Sequence, residues 1–199
     1  DRTRDKKMQN RDIKVSSDSG RNKIHLRELF AELNKRFDAV IPGDLPDIEI
    51  LDVTSDSRKV KFGSVFVAIK GVSVDGHRYI GNALKNGATA IVIQQGEIVD
   101  QIDVPIAIVP DTREALVVLL KSFLGKIPQK LFAVTGTNGK TTVSHILWHI
   151  FTEAGEKAGR IGTLGYSFDD GVLQKMPITT PDAESLWRLL AEMNKREIT

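Results

Sequence analysis

Between Leu131 and Ala154 an apolar run, a loop with two glycines and an amphipathic stretch follow one another without a break. Leu131-Phe132-Ala133-Val134 predicts a buried strand, and Val143, Ile146, Leu147, Ile150 and Ala154 then align on one face of a helix that Gly155 stops. The joining loop is Thr135-Gly136-Thr137-Asn138-Gly139-Lys140-Thr141-Thr142. Gly136 and Gly139 let successive N–H groups curl towards one point, where the positive end of the helix also opens. Such a strand–loop–helix unit accommodates an anion, above all a phosphate. Lys140 would reach the outer phosphates, and the Thr141 hydroxyl would ligate Mg²⁺. The position five before Gly139 is Val134 rather than glycine, so the spacing departs from the common G-x-x-x-x-G-K-[ST] form. The strand and helix on either side carry the reading instead.

The same alternation of elements fills the stretch before this loop. Leu26, Leu29, Phe30, Leu33 and Phe37 lie on one helical face. After a Pro/Gly loop, Ile48, Ile50 and Val53 read as a strand, Asp56-Ser57-Arg58 as a polar turn, and Val65–Ile69 as a buried strand. A short helix through Ile80, Ala83 and Leu84 ends at Gly87, and the strands 89–93 and 106–109 precede a helix over 112–124. Strands alternating with helices define an α/β layer. Gly125-Lys126-Ile127-Pro128 reads as a linker, which divides the chain into a small α/β domain over 24–126 and a second unit over 127–199. In the second unit a strand over 161–168 turns through Asp169-Asp170-Gly171. A last helix has Thr180 as N-cap and Pro181 as its first residue, with Leu186, Leu189, Leu190 and Met193 as its stripe. With two or three strands, this unit reads as the truncated first part of a P-loop-type α/β domain.

Charge and composition narrow the class. The net charge is +2, but residues 1–23 alone carry +4 and the remainder −2. The basic pI of 8.8 therefore belongs to the tail, and a nucleic-acid footprint on the folded part is not supported. The tail's apolar residues follow no period, which reads as a disordered basic extension, with a partner-binding arm as the alternative. There is no cysteine, so disulfides and thiolate chemistry are excluded. No apolar run approaches the ~20 residues of a membrane-spanning helix, and no signal-peptide core opens the chain.

Three stretches, in order, resemble the Mur ligase family. The first is Ser55-Asp56-Ser57-Arg58-Lys59-Val60, continued by Gly63-Ser64-Val65-Phe66-Val67-Ala68, Gly71 and Asp75-Gly76-His77. The second is the loop Thr135–Thr142, which folylpolyglutamate synthases share in type. The third is Arg160-Ile161-Gly162-Thr163 with Ile178-Thr179-Thr180-Pro181-Asp182-Ala183, which is similar to the MurE type in particular. The resemblance covers residues 24–199. It implies a UDP-substrate domain followed by an ATP-binding ligase domain, in a cytoplasmic enzyme of peptidoglycan precursor synthesis. The implied reaction adds meso-diaminopimelate or L-lysine to UDP-N-acetylmuramoyl-L-alanyl-D-glutamate (UDP-MurNAc-L-Ala-D-Glu). ATP phosphorylates the substrate carboxylate, the amine attacks the acyl phosphate, and ADP and phosphate leave.

By position, Gly136, Thr137, Asn138, Gly139, Lys140, Thr141 and Thr142 would bind ATP, with Lys140 catalytic and Thr141 on Mg²⁺. Ser57 would hydrogen-bond the uridine-diphosphate part. Gly71, Val72, Ser73 and Val74 would line the uracil end. Thr179 and Thr180 would hold the sugar-peptide near the γ-phosphate, with Ile178 standing where many relatives have Asn. The family's later metal-binding Glu, modified lysine and amino-acid-selecting domain have no counterpart before Thr199, so the chain is expected to be an incomplete part of a ligase, inactive alone. A MurF-type ligase, a folylpolyglutamate-type ligase and a non-catalytic nucleotide-binding scaffold remain as alternatives.

Other chemistry-bearing residues have plainer readings. His145 and His149 sit four apart on a helix, but no third ligand accompanies them and the zincin Glu is missing. Asp169-Asp170 reads as a turn, Trp148 and Trp187 as packing residues, and Arg58 as a partner for a carboxylate as readily as for a ligand. His25 and His77 have no assignable partner.

Overall fold

The computed structural model describes residues 23–71, 74–97, 102–176 and 181–198, and the chain divides into two compact units at Gly125/Lys126. Almost all of the basic tail, and the predicted contacts Val72, Ser73, Thr179 and Thr180, lie outside the described residues.

Four parallel strands form the heart of the first unit: β3 (Asp52–Thr54), β4 (Ser64–Val67), β5 (Ala88–Gln94) and β6 (Ile106–Val109), paired in that order. The register sets Val53 beside Val65, Val65 beside Ala90, and Val92 beside Ala107. β4 is buried along its whole length and β5 over six of its seven residues, as expected for a parallel sheet covered on both faces. On one face, Phe66, Ala68, Ile91 and Ile93 pack with Ile80 and Ala83 of α2 (Ile80–Lys85). Helix α3 (Thr112–Leu124) also packs against the sheet, and α1 (Leu26–Arg36) packs against α3. The α1 stripe Leu26, Leu29, Phe30 and Leu33 is fully buried, and each such side chain contributes about 1.5–3 kcal/mol. A small antiparallel pair, β1 (Ile24–His25) with β2 (Glu49–Ile50), precedes the sheet, so the strand expected through Ile48 and Val53 breaks at Leu51.

The second unit contains α4 (Lys140–Glu153), the antiparallel pair β7 (Arg160–Gly162) and β8 (Gly165–Ser167), and α5 (Ala183–Lys195). Three expectations change here. Leu131–Val134 forms no strand, and Leu131 and Phe132 are exposed, because no described strand offers them a ladder. The strand over 161–168 reverses early, at Thr163-Leu164. The Asp169-Asp170-Gly171 turn then follows, with Asp170 accepting from the Val172 amide, and brings Gln174 back beside Tyr166. The N-cap of α5 is Asp182, not Thr180: its carboxylate accepts from the Ser185 amide at 2.7 Å, which leaves Pro181 before the helix. Leu189 and Met193 of α5 pack with Tyr166, Phe168 and Ile198. Among the described residues no helix is long and apolar enough to cross a membrane.

Candidate functional site

Residues 135–140 are exposed, and α4 begins at Lys140, as the spacing predicts. Gly139 holds the N-cap at φ 78°, ψ −5°, in the left-handed region that costs other residues steric strain. Having no side chain, it leaves the first turn of α4 without a side-chain cap, so the helix's positive end faces outward. Gly136 has φ 147°. The Lys140 ammonium folds back over the loop, donating to the Gly136 carbonyl at 2.5 Å and to the Thr137 carbonyl at 3.4 Å. Thr141 is half-buried at the start of the helix, and its carbonyl accepts from Ser144 Oγ at 2.9 Å. The structure therefore brings Gly136, Thr137, Asn138, Gly139, Lys140, Thr141 and Thr142 together as one exposed loop and helix start. A cavity of about 360 Å³ elsewhere in this unit is lined by Phe132, Trp148, Phe151 and Leu190 and includes none of these loop residues.

Behind the loop, burial and then the nearby charges of Arg160 and His149 push the His145 imidazole below its ordinary pKa. Arg160 is held over the Trp148 ring at 4.9 Å and donates to Ser167 Oγ at 3.0 Å. The Trp148 indole donates to the Ala158 carbonyl at 2.7 Å, so this tryptophan is a packing residue.

The second group of predicted residues lies in the first unit. Parallel strands share one carboxyl edge, where open α/β sheets bind ligands. Ser57 follows the end of β3, and Gly71 and Val74 follow the end of β4. Ser57 is buried and its carbonyl accepts from Asn86 Nδ2 at 2.8 Å. Arg58 folds onto its neighbour: Nε and Nη2 donate to the two Asp56 oxygens at 2.9 and 2.7 Å. The guanidinium beside Asp56 holds its carboxyl below the usual carboxylate value. Arg58 thus makes the carboxylate pairing that one of its two readings expects.

Sequence reasoning missed a cluster beside Gly71 and Val74. His77, for which no partner was assignable, donates from Nδ1 to Asp75 Oδ1 at 2.6 Å and accepts at Nε2 from the Gln94 amide at 3.1 Å. Lys70 pairs with Glu97 at 2.6 Å, and Arg113 donates to the Lys70 carbonyl at 3.0 Å. The Asp75-Gly76-His77 spacing was the available signal, but Gln94 is seventeen residues further on.

A glycine loop that opens into an uncapped helix, joined to a unit with a covered parallel sheet, defines an α/β protein with the kind of helix start that suits an anion. Residues 49–124 match the family described as "Mur ligase family, catalytic domain", and residues 134–199 match "Mur ligase middle domain". The chain belongs to the Mur ligase family.

It is 39% identical over 163 residues to the UDP-N-acetylmuramoyl-L-alanyl-D-glutamate–2,6-diaminopimelate ligase of Brucella melitensis, covering 82% of this chain and 33% of that protein. The same-named ligase of Cytophaga hutchinsonii is 42% identical over 156 residues, covering 77% of this chain and 32% of the relative. The chain thus spans about a third of the length of these relatives. A solved structure of a ligase of that name superposes with a TM-score of 0.64 at 24% identity, over 88% of this chain and 34% of the other. MurF from Acinetobacter baumannii superposes at 0.52 with 22% identity, over 81% and 32%. These two likenesses establish the fold.

Proposed function

We propose that the chain is the UDP-substrate unit and the first part of the ATP unit of a MurE-type ligase, which joins a diamino acid to UDP-N-acetylmuramoyl-L-alanyl-D-glutamate. The observation that carries this reading is the exposed loop Thr135–Thr142, with its uncapped helix start and folded-back lysine, in a chain about 40% identical to relatives bearing that name. The amide bond needs an activated carboxylate. Transfer of the ATP γ-phosphoryl to the substrate carboxyl supplies it, the amine then displaces phosphate, and ADP is left behind. Such transfer rests on positioning and charge neutralisation rather than on covalent help from the protein.

Each part of the loop has a share in this. The amides around Gly136 and Gly139 receive phosphate oxygens, Lys140 places a cation against the outer phosphates, and the dipole of α4 adds to both. Thr141 offers a hydroxyl, a hard oxygen donor of the kind Mg²⁺ takes alongside phosphates and water. Bound there, Mg²⁺ would neutralise phosphate charge. In the first unit, Ser57, Gly71 and Val74, with Val72 and Ser73, make up the proposed uridine-diphosphate contacts, while Thr179 and Thr180 are proposed for the sugar-peptide. A cytoplasmic location belongs to the same reading.

Lys140→Ala tests the loop. It should weaken ATP binding by about tenfold to a hundredfold, since hydrogen bonds from a charged donor contribute ~1.5–3 kcal/mol. Binding of the UDP substrate should stay intact. Calorimetry with ATP and Mg²⁺ checks this, and unchanged ATP affinity would sink the assignment.

A further inference from the structure

Lys70, Gly71 and Val74–Gly76 form a strap at the carboxyl edge of the sheet. The Gly71 amide donates to the Val74 carbonyl at 3.0 Å, Lys70 bridges Asp75, and the Gly76 amide donates to the Ile69 carbonyl at 2.8 Å. A Cβ on Gly76 would stand 2.7 Å from both the nitrogen and the oxygen of Ile69, so backbone passes against backbone at the root of the strap. Among the described residues, the ties to the rest of the unit apart from that root run through side chains. Arg113 holds Lys70 from α3, Glu97 holds it from beyond β5, and His77 joins Asp75 to β5 itself.

The protons on His77 follow from its partners. The Gln94 amide can only donate, so Nε2 must accept, and the ring proton lies on Nδ1, facing Asp75 Oδ1. The same carboxylate oxygen accepts from the His77 backbone amide at 3.0 Å. These bonds hold the Asp75 carboxyl below its ordinary pKa. The His77 side chain is only 8% exposed, so its ring replaces water as the link between strap and strand.

Asp75, His77 and Glu97 also stand close enough to suggest a metal site, with one ligand atom from each within 4.8 Å of the others. Both His77 nitrogens are already engaged, and the Lys70 ammonium occupies Glu97. The cluster is a proton-bonded clamp.

We propose that His77 is a positioning residue for nucleotide recognition. As the Nδ1-protonated tautomer between Asp75 and the Gln94 amide, it fixes the strap that presents Gly71 and Val74 to the uridine-diphosphate end of the substrate. This rests on the substrate reading above. The ring touches no ligand itself; it lowers the cost of ordering the strap when ligand binds.

The test uses the whole 199-residue chain, with uridine diphosphate as probe at the first unit and ATP with Mg²⁺ as probe at the loop. His77→Phe keeps the ring volume and removes both side-chain bonds. Uridine diphosphate affinity should fall by about tenfold or more, since two hydrogen bonds at ~1 kcal/mol each exceed the 1.4 kcal/mol of a tenfold change. ATP affinity should not change, and a first-unit urea transition that leaves the variant folded under the binding conditions separates lost positioning from lost folding. His77→Gln keeps an acceptor for the Gln94 amide and should fall between wild type and His77→Phe. It also serves if the phenylalanine variant does not fold. Ring-nitrogen NMR of the wild type should show the proton on Nδ1, and exchange of the Gln94 amide should quicken in His77→Phe.

Equal uridine diphosphate affinity in wild type and both variants would overturn this inference and leave the substrate reading standing. So would a ring proton found on Nε2. Failure of the wild type to bind uridine diphosphate would overturn the substrate reading, and the inference with it.

Discussion

The two units obey the same sequence pattern, yet α4 of the second ends in the opposite state from the helices of the first. In the first, every amphipathic stretch finds a cover: the stripe of α1 is fully buried, and β4 is buried throughout. In the second, α4 has no buried residue, and Val143, Ile146 and Ile150 of its apolar stripe stand exposed, as do Leu131 and Phe132. Periodicity states which face of an element is apolar. It does not state that a partner for that face lies within reach.

Removing an apolar side chain from each unit puts this contrast to the test. Phe66, 1% exposed, sits between β5 and α2, and Phe66→Ala should cost ~3–5 kcal/mol, read as a lowered urea midpoint for the first unit with ATP affinity unchanged. Ile146 on α4 is 53% exposed, and Ile146→Ala should change stability by no more than about 0.5 kcal/mol. A loss of ~2 kcal/mol there would mean that something covers α4 in solution, and the contrast would fall.

The smallest effect concerns His145, whose imidazole is held below its ordinary value of 6.5. A depressed folded value means that the unfolded chain takes up the proton first. The stabilising contribution of the neutral ring is therefore full above pH 6.5 and fades as pH falls towards the folded value. An NMR titration should place the His145 midpoint below 6.5, and a midpoint at or above it would contradict the packing beside Arg160.

How much could be read in the sequence depended on how far each feature reaches along the chain. β6 and α3 have the bounds that the pattern predicts, because a buried run and a helix capped by Asp111 are decided by adjacent residues. The glycine loop and the start of α4 were legible for the same reason, since glycine spacing and helix start lie within eight residues. Leu131–Val134 satisfies the local pattern for a strand, yet a strand exists only by pairing. The cap of α5 shifted from Thr180 to Asp182 because both residues suit an N-cap, and only the geometry chooses the Ser185 amide as partner. His77 was illegible because its acceptor role depends on a backbone amide brought alongside by the β4–β5 crossover.

The fold-back of Lys140 has a thermodynamic consequence. Its ammonium already has counter-dipoles in the Gly136 and Thr137 carbonyls, so the proposed nucleotide capture would be an exchange rather than an addition. As the lysine turns from the carbonyls towards a phosphate, the measured affinity would be the difference between the two bonding states. The heat of binding should therefore understate the strength of the final contacts. A lysine analogue with a shorter stem, unable to reach back to Gly136, would start from a less stable empty state.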